Sequence, residues 1–368
     1  MANSFGQGAV AIVAPVPPPL GGMALQAQIL RQNLESDGIQ AIVIPTNPGL
    51  PFFWRRIRGL RTLLQTCGFV IQLFRVMPKV AVVHIMAASH FYFAARVVPA
   101  VLVGRVFGRR VVINYRGGEG PRFFQAFGYV IRPLLRLADI ITVPSHYLER
   151  CFAQLGLPSH IVPNLVDLNR FKFRQRNNLS PNFLVTRNLE PMYNVLMALR
   201  AFEIVKRRYS DARIDVVGTG GDESRLKAWV TDKNLKGVFF RGAVDNQEMP
   251  QYLDRADILL NPTNVDNLPI SLLEAFASGV PVVSTDVGGI PDLIGRTKAA
   301  LLVQAGDYKQ MAAKVEELLA DPDLVERLTL SAQRLVQAYS WRKVRKRLLE
   351  AYFPGAEWPS IIEAIEHE

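Results

Sequence analysis

Asp266 and Glu274 stand eight positions apart, and the residues around them show how two carboxylates can be held at fixed places. Residues 266–269 have the composition of a loop. Leu272, Leu273, Ala275 and Phe276 then form the apolar stripe of a short helix. Gly279 ends that helix, and residues 280–283 begin a buried strand. A helix N-terminus presents unpaired backbone N–H groups and the positive end of a dipole, so it can receive a phosphate. A carboxylate one turn inside accepts hydrogen bonds from sugar hydroxyls. The segment is built to hold a sugar diphosphate. Its flanks agree, with a strand and loop at 256–262 before it and the Gly-rich loop 286–292 after the next strand. Ligands of open α/β sheets bind at such strand ends.

Taken whole, residues 256–293 resemble the signature of the retaining GT-B glycosyltransferases, the large family (family 4, glycosyl transferases group 1) whose hallmark is Glu, seven residues, Glu. One departure is visible, since the first acid here is Asp266, one methylene shorter. The resemblance implies an α/β chain of GT-B fold, with two Rossmann-like, doubly wound parallel-sheet domains facing a cleft. It implies that Glu274 binds the ribose hydroxyls of a nucleotide sugar and that Asp266 contacts the transferred sugar. The backbone from Leu268 through Pro269 and Ile270 to Ser271 would face sugar and diphosphate. Arg187, with Asn188 and Asn194 beside it, would clamp the diphosphate, and an arginine fork can grip two phosphate oxygens. The lysine that the family carries a few residues on is Tyr193 here, which brings no charge.

Further positions follow from the same resemblance. Gly21 and Gly22 open a helix after the first strand, where a glycine pair lets backbone approach a phosphate. Gly218 sits in a Gly-rich turn, mainly structural and near the nucleotide, and the base lies near residues 241–244. His84, near a strand end, stands close to the reacting centre in some relatives. Arg116, Gly117, Gly118 and Glu119 face the cleft as acceptor contacts. The resembled enzymes need no metal or other cofactor, so the donor, a UDP-sugar or GDP-sugar, is neutralised by protein groups alone. Neither the two cysteines nor the five histidines show metal-ligand spacing.

The elements that must position these groups alternate. Strands are expected at 9–13, 39–45, 80–85, 111–115, 139–144 and 161–164, with helices between. After a polar stretch at 174–182 the alternation restarts, with strands at 182–186, 213–217, 238–241, 256–262, 280–283 and 300–303. Domains are expected at 1–173, for the acceptor, and 182–340, for the donor. A final amphipathic helix at 341–352, in the C-terminal segment 341–368, is expected to return to the first domain.

Charge divides the chain. Residues 1–176 carry 20 Lys/Arg against 6 Asp/Glu, and residues 177–368 carry 23 against 26. The first half is built to meet something anionic. Residues 52–64 interleave Arg55, Arg56, Arg58 and Arg61 with Phe, Trp, Ile and Leu, a pattern that can lie in a membrane interface. No recognition motif for nucleic acid is present. No uninterrupted run of eighteen apolar residues occurs, and the N-terminus lacks the make-up of a targeting segment. The chain is expected to be a cytoplasmic glycosyltransferase at the inner face of the membrane. It would build cell-surface polysaccharide or glycoconjugate on a glycan or lipid-linked acceptor. Two rivals remain at this level: a non-catalytic GT-B partner subunit, suggested by Asp266 and Tyr193, and a GT-B epimerase or phosphorylase.

Overall fold

The computed structural model describes residues 8–17, 21–48, 58–176 and 178–355. The first half runs β1 (Val10–Ala14), α1 (Gly22–Ser36), β2 (Ala41–Pro45), α2 (Arg58–Val76) and β3 (Val82–Ala87). A continuous helical run follows, made of α3 (His90–Tyr92), a π-helical stretch at Phe93–Val97, and α4 (Val98–Val106). Then come β4 (Arg110–Tyr115), α5 (Gly120–Leu135), β5 (Ile140–Val143), α6 (His146–Gln154) and β6 (His160–Ile161). The second half runs β7 (Asn182–Thr186), α7 (Val195–Arg208), β8 (Arg213–Val217), α8 (Glu223–Asp232), β9 (Val238–Gly242) and α9 (Met249–Arg255). It continues with β10 (Ile258–Asn261), α10 (Ile270–Ala277), β11 (Val282–Thr285), α11 (Ile290–Ile294) and β12 (Leu301–Val303). Three helices close the chain: α12 (Tyr308–Ala320), α13 (Pro322–Val336) and α14 (Trp341–Tyr352). Pro322 separates α12 from α13 because a proline fits only the first turn of a helix, and Asp321 caps the new start through Leu324 N–H.

Both sheets are six-stranded and wholly parallel, with orders β2-β1-β3-β4-β5-β6 and β12-β11-β10-β7-β8-β9. Near-continuous Val/Ile/Leu/Ala strands suit this, since helices bury both faces. In each sheet the winding reverses beside the opening strand, between β1 and β3 and between β7 and β10. These two switch points are where loops diverge and leave a crevice. The first sheet packs one face on α2, α4, α5 and α6 and the other on α1 and α14. Helix α14 reaches back across the chain to do so. It buries Val344, Leu348, Leu349 and Tyr352, and the Ala351 carbonyl accepts a 2.7 Å bond from Arg110 Nε.

The polar stretch after β6 is anchored rather than loose. Arg176 is 2% exposed and spreads its guanidinium over the carbonyls of Leu253, Ala256 and Ser278 at 2.8–3.0 Å, with longer bonds to those of Arg174 and Asp254. Burial away from water lowers its pKa to about 10, so it stays charged at neutral pH. The arginine thereby ties the chain entering the second half to the ends of α9 and α10. Replacing it by Met would leave buried carbonyls without donors, at about 3 kcal/mol. Arg176→Met is therefore expected to lower the urea midpoint of unfolding clearly. An unchanged midpoint would mean that these carbonyls do not depend on the guanidinium.

Candidate active site

The loops leaving β7 and β10, at the switch point of the second sheet, bring Arg187 and Asp266 together. Arg187 Nη2 lies 2.5 Å from Asp266 Oδ2, its Nε donates to Asn261 Oδ1 at 2.7 Å, and both charged side chains are about one-eighth exposed. Such proximity needs backbone to pack on backbone. Gly218 has φ +136°, and a side chain there would begin 2.1 Å from the Arg187 carbonyl. Gly288 has φ +58°, and its added carbon would fall 1.7 Å from the Asp266 carbonyl. These two glycines are steric requirements of the site. Gly218 thus lies directly beneath the Arg187 loop.

Tyr193, which stands where the resemblance expects a lysine, has its ring 5.3 Å from the Arg187 guanidinium carbon. It supplies no charge but holds the cation by its ring face. Asn188 follows Arg187 in the same loop and is exposed. Asn194 takes a left-handed conformation, φ 45°, to start α7 and bonds Asn264 Oδ1 at 3.1 Å.

Glu274 lies on α10, whose N-terminal boundary is Pro269 in extended conformation. It is 7% exposed, and its carboxylate has no hydrogen-bond or ion-pair partner among the described residues. Burial pushes its pKa up to about 7, against the weaker opposing attraction of Arg170 and Arg187. Ser271 Oγ, in the first turn of α10, is likewise buried and unpartnered among the described residues. Ser271 Oγ lacks the partner that a buried polar atom normally has, whereas the Glu274 oxygens, also without a partner, are not fully enclosed.

The first half meets this region closely. The Leu268 carbonyl accepts from Asn164 Nδ2 at 2.7 Å, Ser145 Oγ donates to Asn267 Oδ1, and Arg150 pairs with Asp292 at 2.8 Å. A carbon added to Gly22 would lie 3.5 Å from Ile270, and one added to Gly118 would lie 3.6 Å from the Asp266 Cα. Gly21 precedes α1 in extended conformation with open space about it. The Gly21–Gly22 turn and the 116–119 loop therefore border the Asp266–Ser271 segment. Arg116 donates to Asn114 and Asn164 side chains, and desolvation lowers its pKa to about 10.

His84 is placed differently from its sequence expectation. The strand runs on to Ala87, so His84 is third of six residues and 1% exposed. Its Nδ1 is 2.9 Å from the Tyr352 hydroxyl on α14, and burial, with Arg116 nearby, lowers its pKa to about 3. It is a neutral core histidine, shielded from the cleft. The strand-end histidine that sequence reasoning passed over is His90. Its φ of 59° is unusual for a side-chain-bearing residue, and its Nε2 is 3.5 Å from Glu119 Oε2. Only spacing after β3 could have signalled it. Arg241, in the expected base region, pairs instead with Asp215 at 2.6 Å. Of the 52–64 stretch, residues 52–57 and the side chains of Arg58 and Arg61 lie outside the described residues. No helix among the described residues is long and apolar enough to cross a membrane, and none of their His, Cys, Asp and Glu side chains cluster in threes that could hold a metal.

Comparison with known proteins bears on the whole chain. The family model for Glycosyltransferase Family 4 matches residues 20–170, and that for Glycosyl transferases group 1 matches residues 169–335. The chain is 28% identical over 280 residues to a GDP-mannose-dependent alpha-(1-6)-phosphatidylinositol monomannoside mannosyltransferase of Mycolicibacterium smegmatis, covering 68% of this chain and 73% of that one. It is 24% identical over 365 residues to a sulfoquinovosyl transferase of Arabidopsis thaliana, covering 88% and 69%. Sucrose-phosphate synthase from Thermosynechococcus elongatus superposes with a TM-score of 0.75 at 17% identity, covering 94% and 98%. Anabaena HepE, solved with UDP and glucose, superposes at 0.72 with 16% identity, covering 94% and 99%. The structural likenesses establish the GT-B fold.

The stacking of Tyr193 on Arg187 makes a graded prediction. Tyr193→Phe keeps the ring face and is expected to bind nucleoside diphosphate within about threefold of the parent, whereas Tyr193→Ala loses about tenfold, the scale of a partly desolvated cation–π contact. Titration calorimetry with UDP and GDP measures both. Equal affinity in all three proteins would remove Tyr193 from the site.

Proposed function

The chain belongs to the glycosyltransferase family matched by the Family 4 and group 1 models, and from that premise we propose that it is a retaining enzyme. It moves a sugar from a UDP- or GDP-sugar to a lipid-linked or glycan acceptor. The single observation that carries the donor assignment is Glu274, a buried carboxylate left without partners beside the α10 N-terminus. Ribose hydroxyls are the donors that such a group lacks. Arg187 and the first-turn backbone of α10 then take the diphosphate, Asp266 the transferred sugar, and the Gly21–Gly22 turn the far side of the phosphates. Among relatives, one is named for a phosphatidylinositol monomannoside and GDP-mannose, and a structural neighbour holds UDP. These names support a nucleotide-sugar donor and an acceptor borne at a membrane, met by the basic first half, in the synthesis of surface polysaccharide or glycoconjugate.

The reaction proposed is the front-face displacement that the family resemblance implies. The acceptor hydroxyl attacks the anomeric carbon on the face from which the diphosphate leaves. The bond from that carbon to the β-phosphate oxygen breaks, and its electron pair stays on that oxygen. The same oxygen takes the acceptor's proton, so retention needs no protein nucleophile. Charge developing on the leaving phosphate is met by Arg187 and the helix dipole. The protein groups named here supply positive charge without any step assigned to a cofactor.

The first test is a thermal-shift panel with UDP, GDP, ADP, dTDP and CMP. A ligand at a hundred times its Kd adds about 2.7 kcal/mol. One diphosphate should shift the parent protein, and Glu274→Ala should abolish the shift; a shift that survives the substitution would move the ribose site elsewhere. Glu274 also sets a pH dependence. Its pKa rises from 4.5 unfolded to about 7 folded, so between these values the folded state holds the extra proton. Stability without ligand should therefore fall as pH rises from 4.5 to 7, by about 3 kcal/mol in all, and Glu274→Gln should lack this slope. Bound ribose favours the ionised carboxylate. Affinity for a nucleotide sugar, whose diphosphate does not titrate in this range, should rise about tenfold through pH 7 in the parent alone.

A further inference from the structure

Nine of the eleven large apolar side chains exposed among the described residues lie in the first half, between Ile71 and Leu137. They stand on neighbouring helices. Ile71 and Phe74 occupy one stripe of α2, Leu102 and Val106 one stripe of α4, and Phe127 and Val130 one stripe of α5, each pair three or four residues apart. The three helices cover the same sheet face and are tied edge to edge. Arg96 from the π-helical stretch donates to Thr66 of α2 at 2.9 Å, Phe74 meets Phe107 edge-on at 5.8 Å, and Arg105 of α4 donates to the Leu137 carbonyl beyond α5. The apolar stripes thus belong to one continuous layer.

The charge around them has one sign. From residue 58 to 138 the chain holds twelve Lys/Arg and a single acid, Glu119. That acid is paired with His90 at 3.5 Å, and the next along the chain, Asp139, is paired with Arg105 at 3.1 Å. Arg75, Lys79, Arg105, Arg122 and Arg136 are exposed among or beside the apolar residues. Val106, Tyr129 and Val130 are 77%, 94% and 74% exposed. Water is a poor partner for such a layer, and of these five cations all but Arg105 are without an ion-pair partner among the described residues.

We propose that the outer face of α2, α4 and α5 seats the protein on an anionic lipid bilayer, with Ile71, Phe74, Leu102, Val106, Phe127 and Val130 entering the headgroup boundary. The inference rests on the membrane-borne acceptor proposed above and names the surface that reaches it. Apolar stripes fringed by Arg and Lys are what an interfacial segment needs, and each cation near an anionic surface adds to binding. A protein partner with a concentrated hot spot would call for a pocket, whereas these residues are spread over three helices. At the other end of these helices, beside the cleft, Phe91, 64% exposed, adjoins His90, and Arg122 follows the 116–119 loop in α5.

The test uses the full chain and two kinds of vesicle, phosphatidylcholine alone and phosphatidylcholine with phosphatidylglycerol. The parent is expected to cosediment at least tenfold better with the anionic vesicles and to lose most of that binding in half-molar salt, where the Debye length shortens. Val106→Asp with Val130→Asp should weaken it at least tenfold. Both sites are exposed, so melting temperature and hydrolysis of nucleotide sugar in solution should stay unchanged. Cys67 is exposed on α2 and Cys151 is buried. A polarity-sensitive dye on Cys67 should therefore shift to the blue only with anionic vesicles. Equal binding to neutral vesicles, full binding by the double variant, or a self-association that the double variant abolishes in place of lipid binding would each overturn the proposal. Lost turnover in solution, by contrast, would indict the catalytic reading and not the surface.

Discussion

The contact between Arg187 and Asp266 constrains most of what surrounds it. A 2.5 Å ion pair with both members mostly buried requires two loops from different strands to touch along their backbones. That is why Gly218 lies under Arg187 and Gly288 lies under Asp266, each at a positive φ and each with no room for a side chain. Parallel winding decides which loops meet. β7 and β10 are neighbours only because the strand order reverses there, so residues 79 positions apart converge without any local signal. The stacked Tyr193 then fixes the guanidinium from its open side. The pair is a structural lock, and in the donor site proposed above an incoming diphosphate would share Arg187 with Asp266.

The two halves divide the physical work. The second half supplies a nearly neutral, tightly packed set of loops where buried charges are matched or poised. The first half supplies cations and exposed apolar surface. They join through direct side-chain contacts, Asn164 to Leu268 and Ser145 to Asn267, and through α14, which buries Tyr352 against His84. Movement of one half against the other must therefore break bonds made to the same segment, residues 267–268, that leads into α10.

How much of this could be read from residues alone depended on the range of the interaction. The strands at 182–186 and 213–217 and the terminal helix were legible to the residue, because β-branched runs and a 3.6-residue stripe are local. Glu274 was legible because helix, loop and acid lie within nine positions. His84 was misplaced because β3 extends two residues past Ile85, where the strand was expected to stop, and a strand end is set by pairing with β4 rather than by composition. His90 and its contact with Glu119 were invisible for the same reason, as was the burial of Arg176 in a stretch whose polarity suggested a linker. The outward stripes of α2, α4 and α5 could not be told from core stripes until the helices were packed.

The two departures from the family pattern bear on one balance of charge. In the proposed site a lysine at 193 would give the diphosphate two cations; Tyr193 leaves Arg187, already paired with Asp266. If Glu274 were also fully ionised, the loops from β7 and β10 with α10 would carry net negative charge where two phosphates must sit. Burial resolves the conflict by holding the Glu274 pKa near 7, so the unliganded site near neutrality is only partly charged. In the proposed site, a ribose donating to that carboxylate would favour the ionised form again. The added negative charge is then offset by hydrogen bonds rather than by a second cation. Asp in place of Glu at 266 works in the same direction. Its short side chain keeps one oxygen on Arg187 and the other on the Asn267 N–H at 2.8 Å, holding the carboxylate back against its own loop. A longer side chain would carry that charge farther toward the space the phosphates must enter.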